Sequence, residues 1–158
     1  MIETGALGLG TAPLGGLYEA VDDETALAVV GRAWELGIRF FDTAPYYGSG
    51  LAERRLGRGL QGVPRNEYVV STKVGRLLRP GASGWKGAYF DFSYDAALRS
   101  LDESLARLQL DHVDVALVHD PDDHYDAALA GAFAALSRLR DEGEVRAIGV
   151  GMNQVELL

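Results

Sequence analysis

No cysteine occurs among the 158 residues, so the chain has no disulfide framework and no thiolate chemistry, a composition that fits the cytoplasm. Positive charge is scarce: 15 lysines and arginines stand against 23 acidic residues, for a net charge of −8. No basic cluster is present to neutralise phosphates, which argues against nucleic acid as a partner. An anionic membrane surface is disfavoured for the same reason. No apolar run approaches membrane-spanning length, and Met1-Ile2-Glu3-Thr4 lacks the basic and apolar regions of a signal peptide. Proline is sparse, at 5, whereas glycine, at 20, is abundant and gathers at the ends of apolar runs, where tight turns need it. With 47% hydrophobic and 24% charged residues the chain has the make-up of an ordinary globular protein with a sizeable core.

What is there is an alternation of short apolar runs with longer segments of 3.6-residue period. Leu7 to Thr11 reads as a glycine-rich strand, followed by a loop through Pro13, Gly15 and Gly16. Asp22, Asp23 and Glu24 put negative charge at the start of a helix whose apolar face carries Leu27, Val30 and Trp34 and which Gly37 ends. Ile38 to Asp42 is a second strand, Leu51, Leu56 and Leu60 mark a second helix, and Tyr68 to Lys73 is a third strand. Val74 to Phe92, with Pro80, four glycines and Trp85, reads as a long loop, and loops of that length are usually functional. Ser93 caps a third helix with the stripe Ala97, Leu101, Leu105 and Leu108, and Val113 to His119 is a fourth strand. Asp126 caps a fourth helix that carries Leu129, Phe133, Leu136 and Leu139 and closes at Gly143. Arg146 to Gly151 is a fifth strand, after which Asn153 and Glu156 form a capping-box-like pair opening a fifth helix. Uninterrupted alternation of strand and helix predicts an α/β fold with parallel strands and right-handed crossovers, in one domain over 1–158.

The chemistry lies where these strands end. Asp42, Lys73 and His119 close three successive strands, and so share the rim on which such folds bind ligands. Tyr47 follows Asp42 in a loop broken at Pro45 and Gly48. A tyrosine keeps its proton to about pH 10, but a neighbouring ammonium favours the phenolate and eases proton donation in a transition state. Lys73 is placed to supply that ammonium, and Asp42 on the next strand to keep it charged. His119 is placed to bind a substrate oxygen or relay a proton. The set suits protonating a carbonyl oxygen while hydride reaches its carbon, or the reverse.

Three segments then carry a resemblance: Phe41-Asp42-Thr43-Ala44-Pro45-Tyr46-Tyr47-Gly48-Ser49-Gly50-Leu51-Ala52-Glu53, Ser71-Thr72-Lys73-Val74-Gly75 and Val118-His119-Asp120-Pro121-Asp122. They resemble the aldo-keto reductase superfamily, over nearly the whole chain. Gly8-Leu9-Gly10-Thr11-Ala12-Pro13-Leu14-Gly15 and Gly149-Val150-Gly151-Met152-Asn153 are most similar to its L-fucose and D-threo-aldose dehydrogenases and pyridoxal 4-dehydrogenase. The resemblance implies a TIM-type (β/α)8 barrel, an NADP or NAD cofactor held without a Rossmann domain, and a small carbonyl or sugar substrate. It implies Tyr47 as general acid/base, Lys73 and Asp42 tuning it, and His119 orienting the substrate. Gly10, Thr11 and Asp42 are then expected near the nicotinamide, Asn153 near its carboxamide, and Tyr46 and Trp85 on the substrate wall. Trp85 reads equally well as a loop anchor.

Five strand–helix units fall short of a whole barrel, which typically needs about 250 residues. The chain is thus expected to be a partial barrel lacking the last three units and most of the N-terminal hairpin, with a native sequence that continues past Leu158. Two open strand edges invite self-association. The competing reading from another class is a catalytically inactive half barrel that serves as an interaction or vestigial domain. Other signals have plainer explanations. Gly8-Leu9-Gly10-Thr11-Ala12-Pro13 has proline where a dinucleotide fingerprint needs glycine. The run from His119 to His124 is explained by a strand end and a turn at Pro121 without a metal. His112 and His124 read as solvated loop residues, and Trp34 as core.

Overall fold

The computed structural model describes residue 2 and residues 4–154. In chain order the strands are β1 (Leu9–Gly10), β2 (Phe40–Asp42), β3 (Val69–Val74), β4 (Arg76–Ser83), β5 (Lys86–Phe90), β6 (Val115–His119) and β7 (Ala147–Gly151). The main helices are α1 (Asp23–Glu35), α2 (Leu51–Gly59) and α3 (Tyr94–Leu108). A last helix runs without a break through α4 (Tyr125–Ala128), a π-helical stretch (Leu129–Phe133) and α5 (Ala134–Asp141).

β1, β2, β3, β6 and β7 form one parallel sheet in that order, so consecutive strands of the alternation lie side by side. Asp42 pairs with Ser71, Lys73 with Leu117 and His119 with Gly151, which brings the ends of β2, β3 and β6 to one rim. All six residues of β3 are buried, as expected of a central strand covered on both faces. Phe41, Val70, Val74, Ala116 and Val118 of the sheet meet Ala26, Val30, Leu56, Ala97, Leu101, Leu108 and Leu136 of the helices in one core. Each large member contributes about 1.5–3 kcal/mol through burial. α1 starts as the acids predict: Asp22 Oδ1 accepts the Thr25 N–H at 2.7 Å, and Asp23 and Glu24 occupy the first turn. Among the described residues β1 pairs only with β2 and β7 only with β6, leaving two open edges.

Several expectations are corrected. The segment 74–92 is not an irregular loop but a twisted hairpin, with β4 and β5 antiparallel. Its pairing slips between Leu78 and Ser83, and that irregularity absorbs Pro80, which has no N–H to give, and Gly81 at φ +76°. The glycines that read as loop signals are therefore turn and bulge residues. Leu77 buries one face of the hairpin against the body.

In the last helix the N-cap position is His124, and Asp126 lies inside the first turn rather than at its cap. The helix passes through a π-helical stretch, and its buried positions are Ala128, Ala132, Ala135, Leu136 and Leu139. Leu129, read as a core residue, is 50% exposed, because its neighbour Ala128 takes the inward position. Ser93 does occupy the N-cap of α3, but its hydroxyl donates to Asp91 Oδ1 instead of capping. Most of the helix expected to open at Asn153 lies outside the described residues.

Candidate active site

The site is built on the β2 rim. Ser71 Oγ donates to Asp42 Oδ1 at 2.6 Å, and the Thr43 N–H donates to Ser71 O at 2.9 Å, carrying the ladder one residue beyond β2. The chain then turns sharply, with the Tyr47 N–H donating to Ala44 O at 3.1 Å. Gly48, Ser49 and Gly50 follow at φ +63°, +54° and +79°, a left-handed run that re-aims the backbone into α2. The turn rests on the loop after β1: a Cβ on Gly15 would lie 2.7 Å from the carbonyl carbon of Tyr47. The backbone on either side of Tyr47 is therefore fixed by close approach, and its phenol with it.

Lys73, buried on β3, gathers the other groups. Its Nζ donates to Asp42 Oδ2 at 2.7 Å and Oδ1 at 2.9 Å, to Thr43 O at 2.9 Å and to the Tyr47 hydroxyl at 3.0 Å. An ammonium has three N–H donors, and carboxylate, carbonyl and phenol account for all of them. The phenol oxygen is an acceptor towards Lys73, so its own hydrogen is directed elsewhere, to whatever faces the rim. The buried ammonium is matched by a charged and hydrogen-bonded partner, as a buried cation requires.

His119, at the end of β6, stands edge-on to Tyr47 with ring centroids 5.8 Å apart, and to Tyr46 at 6.3 Å. It is 5% exposed, and its Nδ1 is buried with no hydrogen-bond partner among the described residues. Burial, with the Lys73 ammonium and the Arg76 guanidinium beside it, pushes its pKa from 6.5 down to about 3. At neutral pH the ring is therefore an uncharged imidazole with one donor and one acceptor nitrogen.

An aromatic wall closes one side. Trp85, in the turn between β4 and β5, meets Tyr46 edge-on at 5.1 Å and Tyr47 at 6.1 Å. Its indole N–H donates to Gly15 O at 3.1 Å, so Trp85 is wall and anchor at once. The Arg76 guanidinium lies 3.5 Å over the Tyr46 ring and pairs with Asp120. Tyr46, Arg76, Trp85 and Phe90 line a cavity of about 130 Å³ beside the phenol loop.

The residues expected near a cofactor are placed unequally. Gly10 is opposite Asp42 in register, and nothing lies within 4 Å of where its Cβ would be, which leaves open space on the rim. The Thr11 hydroxyl is spent on Asp42 O at 2.9 Å, so this side chain braces β1 against β2. Asn153 is exposed, and its N–H donates to Asp122 Oδ1 at 2.8 Å, not to the tetrad of Asp42, Tyr47, Lys73 and His119. His112 and His124 are exposed, the first bonded to Asp111 and the second against Phe90 and Phe92.

Four residues escaped the sequence reading. Ser71 and Gly15 gave no signal, since a strand serine and a loop glycine are common. Arg76 was hidden by reading its segment as loop, and Asp120 by reading its run as a strand end and a turn.

This geometry has relatives. A model of the aldo/keto reductase family matches residues 6–158. The chain is 46% identical over 162 residues to the D-threo-aldose 1-dehydrogenase of a Pseudomonas species, covering 92% of this chain and 49% of that protein. It is 43% identical to the L-galactose dehydrogenase of Arabidopsis thaliana, covering 94% and 45%. Among solved structures, the holo form of an aldo-keto reductase from Bacillus halodurans superposes with a TM-score of 0.76 at 32% identity, covering 92% of this chain and 45% of that one. An aldo/keto reductase from Klebsiella pneumoniae in complex with NADP and acetate gives 0.73 at 29%, covering 94% and 46%. The chain thus spans about half the length of the relatives it matches. Its sheet and helices are part of the TIM-type barrel of these proteins, and the chain belongs to the aldo/keto reductase family.

Proposed function

We propose that the chain carries the proton-transfer half of a nicotinamide-dependent oxidoreductase acting on the carbonyl of an aldose or small aldehyde, or on the corresponding alcohol. The observation that carries this reading is the 3.0 Å contact between Lys73 Nζ and the Tyr47 hydroxyl, with Asp42 bidentate on the same ammonium. Tyr47 is the general acid when a carbonyl is reduced and the general base when an alcohol is oxidised. The Lys73 ammonium stabilises the phenolate that forms, and does so from a buried position where charge is poorly screened. His119 is neutral, and offers the substrate oxygen a hydrogen bond without adding charge to the site.

The open rim at Gly10, next to Asp42 and Tyr47, fits a flat ring, and Gly10 and Asp42 would flank it. A bound NADP or NAD would supply or accept the hydride there. Tyr46 and Trp85 exclude water from one side of the phenol. An aldose is supported as substrate class by the activities for which the two relatives above are named. A cytoplasmic setting goes with this reading, in keeping with a sequence free of cysteine.

Titration of intrinsic fluorescence with NADPH tests the reading for this chain, because Trp85 lies against Tyr47. Saturable quenching is expected, and no binding up to about millimolar cofactor would instead favour the inactive half barrel. In an active preparation Tyr47→Phe should lower turnover by at least the roughly 10²–10⁴-fold that general acid–base catalysis contributes, with little change in cofactor affinity. A variant keeping most of its rate would place the acid elsewhere.

A further inference from the structure

Beside the tetrad stands a second ion pair that it does not need. Asp120 follows His119 directly and is held at φ +48°, a left-handed backbone that costs a non-glycine residue energy and needs support from its surroundings. The support is visible: the Asp120 N–H donates to Gly151 O at 2.7 Å, and the carboxylate meets Arg76 Nη1 at 2.5 Å. The same Oδ2 lies 3.7 Å from His119 Nε2, just beyond hydrogen-bond reach. Arg76 is itself fixed, with its guanidinium stacked 3.5 Å over Tyr46 and 5.0 Å from the Phe90 ring.

We propose that Arg76 is a positioning residue: by holding the Asp120 carboxylate it keeps that carboxylate off His119 Nε2, which stays free to face a substrate oxygen. A carboxylate one short movement from an imidazole would otherwise capture it as an ion pair, charging the ring and occupying the nitrogen. The groups facing His119 from the surrounding elements are Lys73 on β3, Arg76 on β4, Tyr46 and Tyr47 on the loop after β2, and Asp120 on its own strand end. Its register partner on β7, Gly151, has no ionisable side chain. Asp120 is the only acid within salt-bridge distance of the ring among the described residues, so the ring's charge state depends on where that carboxylate is held. The use of Nε2 towards a carbonyl rests on the function proposed above; the sequestering of Asp120 does not.

The test is an imidazole ¹⁵N titration of the whole chain by nuclear magnetic resonance. The chain has three histidines, and His119 is assigned by its disappearance in His119→Asn. In the unaltered chain His119 should stay uncharged at about pH 4, since its pKa is about 3. In Arg76→Gln its midpoint should rise by about two units, the usual effect of an opposite charge at contact. In Arg76→Gln/Asp120→Asn it should fall back, because no carboxylate remains to be captured. The last variant separates capture from the mere loss of a positive neighbour, in which case the rise would persist. An unchanged midpoint in Arg76→Gln, or a rise that survives in the double variant, overturns the proposal. Should Arg76→Gln not fold, Asp120→Asn is read alone: His119 must remain uncharged at about pH 4, and a raised midpoint overturns the proposal. Turnover with this pattern absent removes the positioning role alone. The pattern without turnover leaves that role standing and removes the proposed activity.

Discussion

Removing the guanidinium of Arg107 should be a costly single change outside the tetrad. Glu53, on α2, is fully buried, with no exposed surface. Its Oε2 accepts Arg107 Nε at 2.5 Å, and its Oε1 accepts the Thr72 hydroxyl at 2.8 Å. Arg107→Met leaves a carboxylate in the core with one hydroxyl to solvate it, and breaking a buried pair from one side costs about 3–5 kcal/mol. Total stabilities run to about 5–15 kcal/mol, so the loss is a large fraction. At about 2–4 °C per kcal/mol for a chain of this size, the melting temperature should fall by roughly 10 °C. Glu53→Gln keeps the shape and removes the charge, which should cost less, about 1–3 kcal/mol. Glu53→Leu/Arg107→Met removes both charges and should be more stable than Arg107→Met alone, with the Thr72 hydroxyl losing its acceptor at about 1 kcal/mol. Urea unfolding followed by circular dichroism reads all three. Arg107→Met within about 1 kcal/mol of the parent, or a double variant no better than that single one, would refute the assignment. The functional stake is position: Thr72 adjoins Lys73, so this network braces β3 against the helix that the Tyr47 loop leads into.

Further outcomes follow from the site. His119 is neutral in the folded chain down to about pH 3 but takes up a proton near 6.5 when unfolded. Its contribution to stability is therefore complete above pH 6.5 and is lost as the pH falls towards 3, by about 2 kcal/mol at pH 5. His119→Asn should lack that portion, and parallel pH–stability curves for the two proteins would refute the lowered pKa. Gly15→Ala puts a methyl group 2.7 Å from the Tyr47 carbonyl carbon, a backbone atom that cannot swing aside. It should cost about 1–3 kcal/mol and displace the phenol, visible as a changed Trp85 emission as well as in unfolding. Wild-type stability with unchanged emission would show that the loop after β1 does not set the Tyr47 loop.

The sequence made the sheet legible because parallel βα units repeat one instruction: a short apolar run, a charged terminus, a turn, an amphipathic helix. Asp42, Lys73 and His119 each end such a run, and the register of three adjacent strands then brings them together without further information. The hairpin at 76–90 was not legible, since Pro80 and the glycines at 81, 84 and 87 are loop signals locally and become tolerable only where pairing slips. Leu129 was misplaced for a different reason: the inward positions of that turn are held by Ala128 and Ala132, whose small side chains give a weaker apolar signal than the leucine beside them. Arg76 and Asp120 were invisible as a pair because 44 residues separate them, and only the packing of the hairpin onto the rim brings them into contact.

What joins the site into one unit is the donor count of Lys73. Three N–H bonds go to a carboxylate on β2, a carbonyl one residue further and a phenol in the next turn, so one ammonium fixes three backbone stations at once. Asp42 is held from the other side by Ser71, which fixes the distance between β2 and β3 at the point of the chemistry. Asp42, Lys73 and Tyr47 are therefore positioned by one another within this chain, which spans about half the length of its relatives. On the function proposed above, proton transfer and cofactor grip would be separable properties of the fold. Lys73→Met should release the Tyr47 loop and leave the Asp42 carboxylate with the Ser71 hydroxyl as its one hydrogen-bond partner among the described residues, a local loss that appears in the unfolding free energy with or without any cofactor.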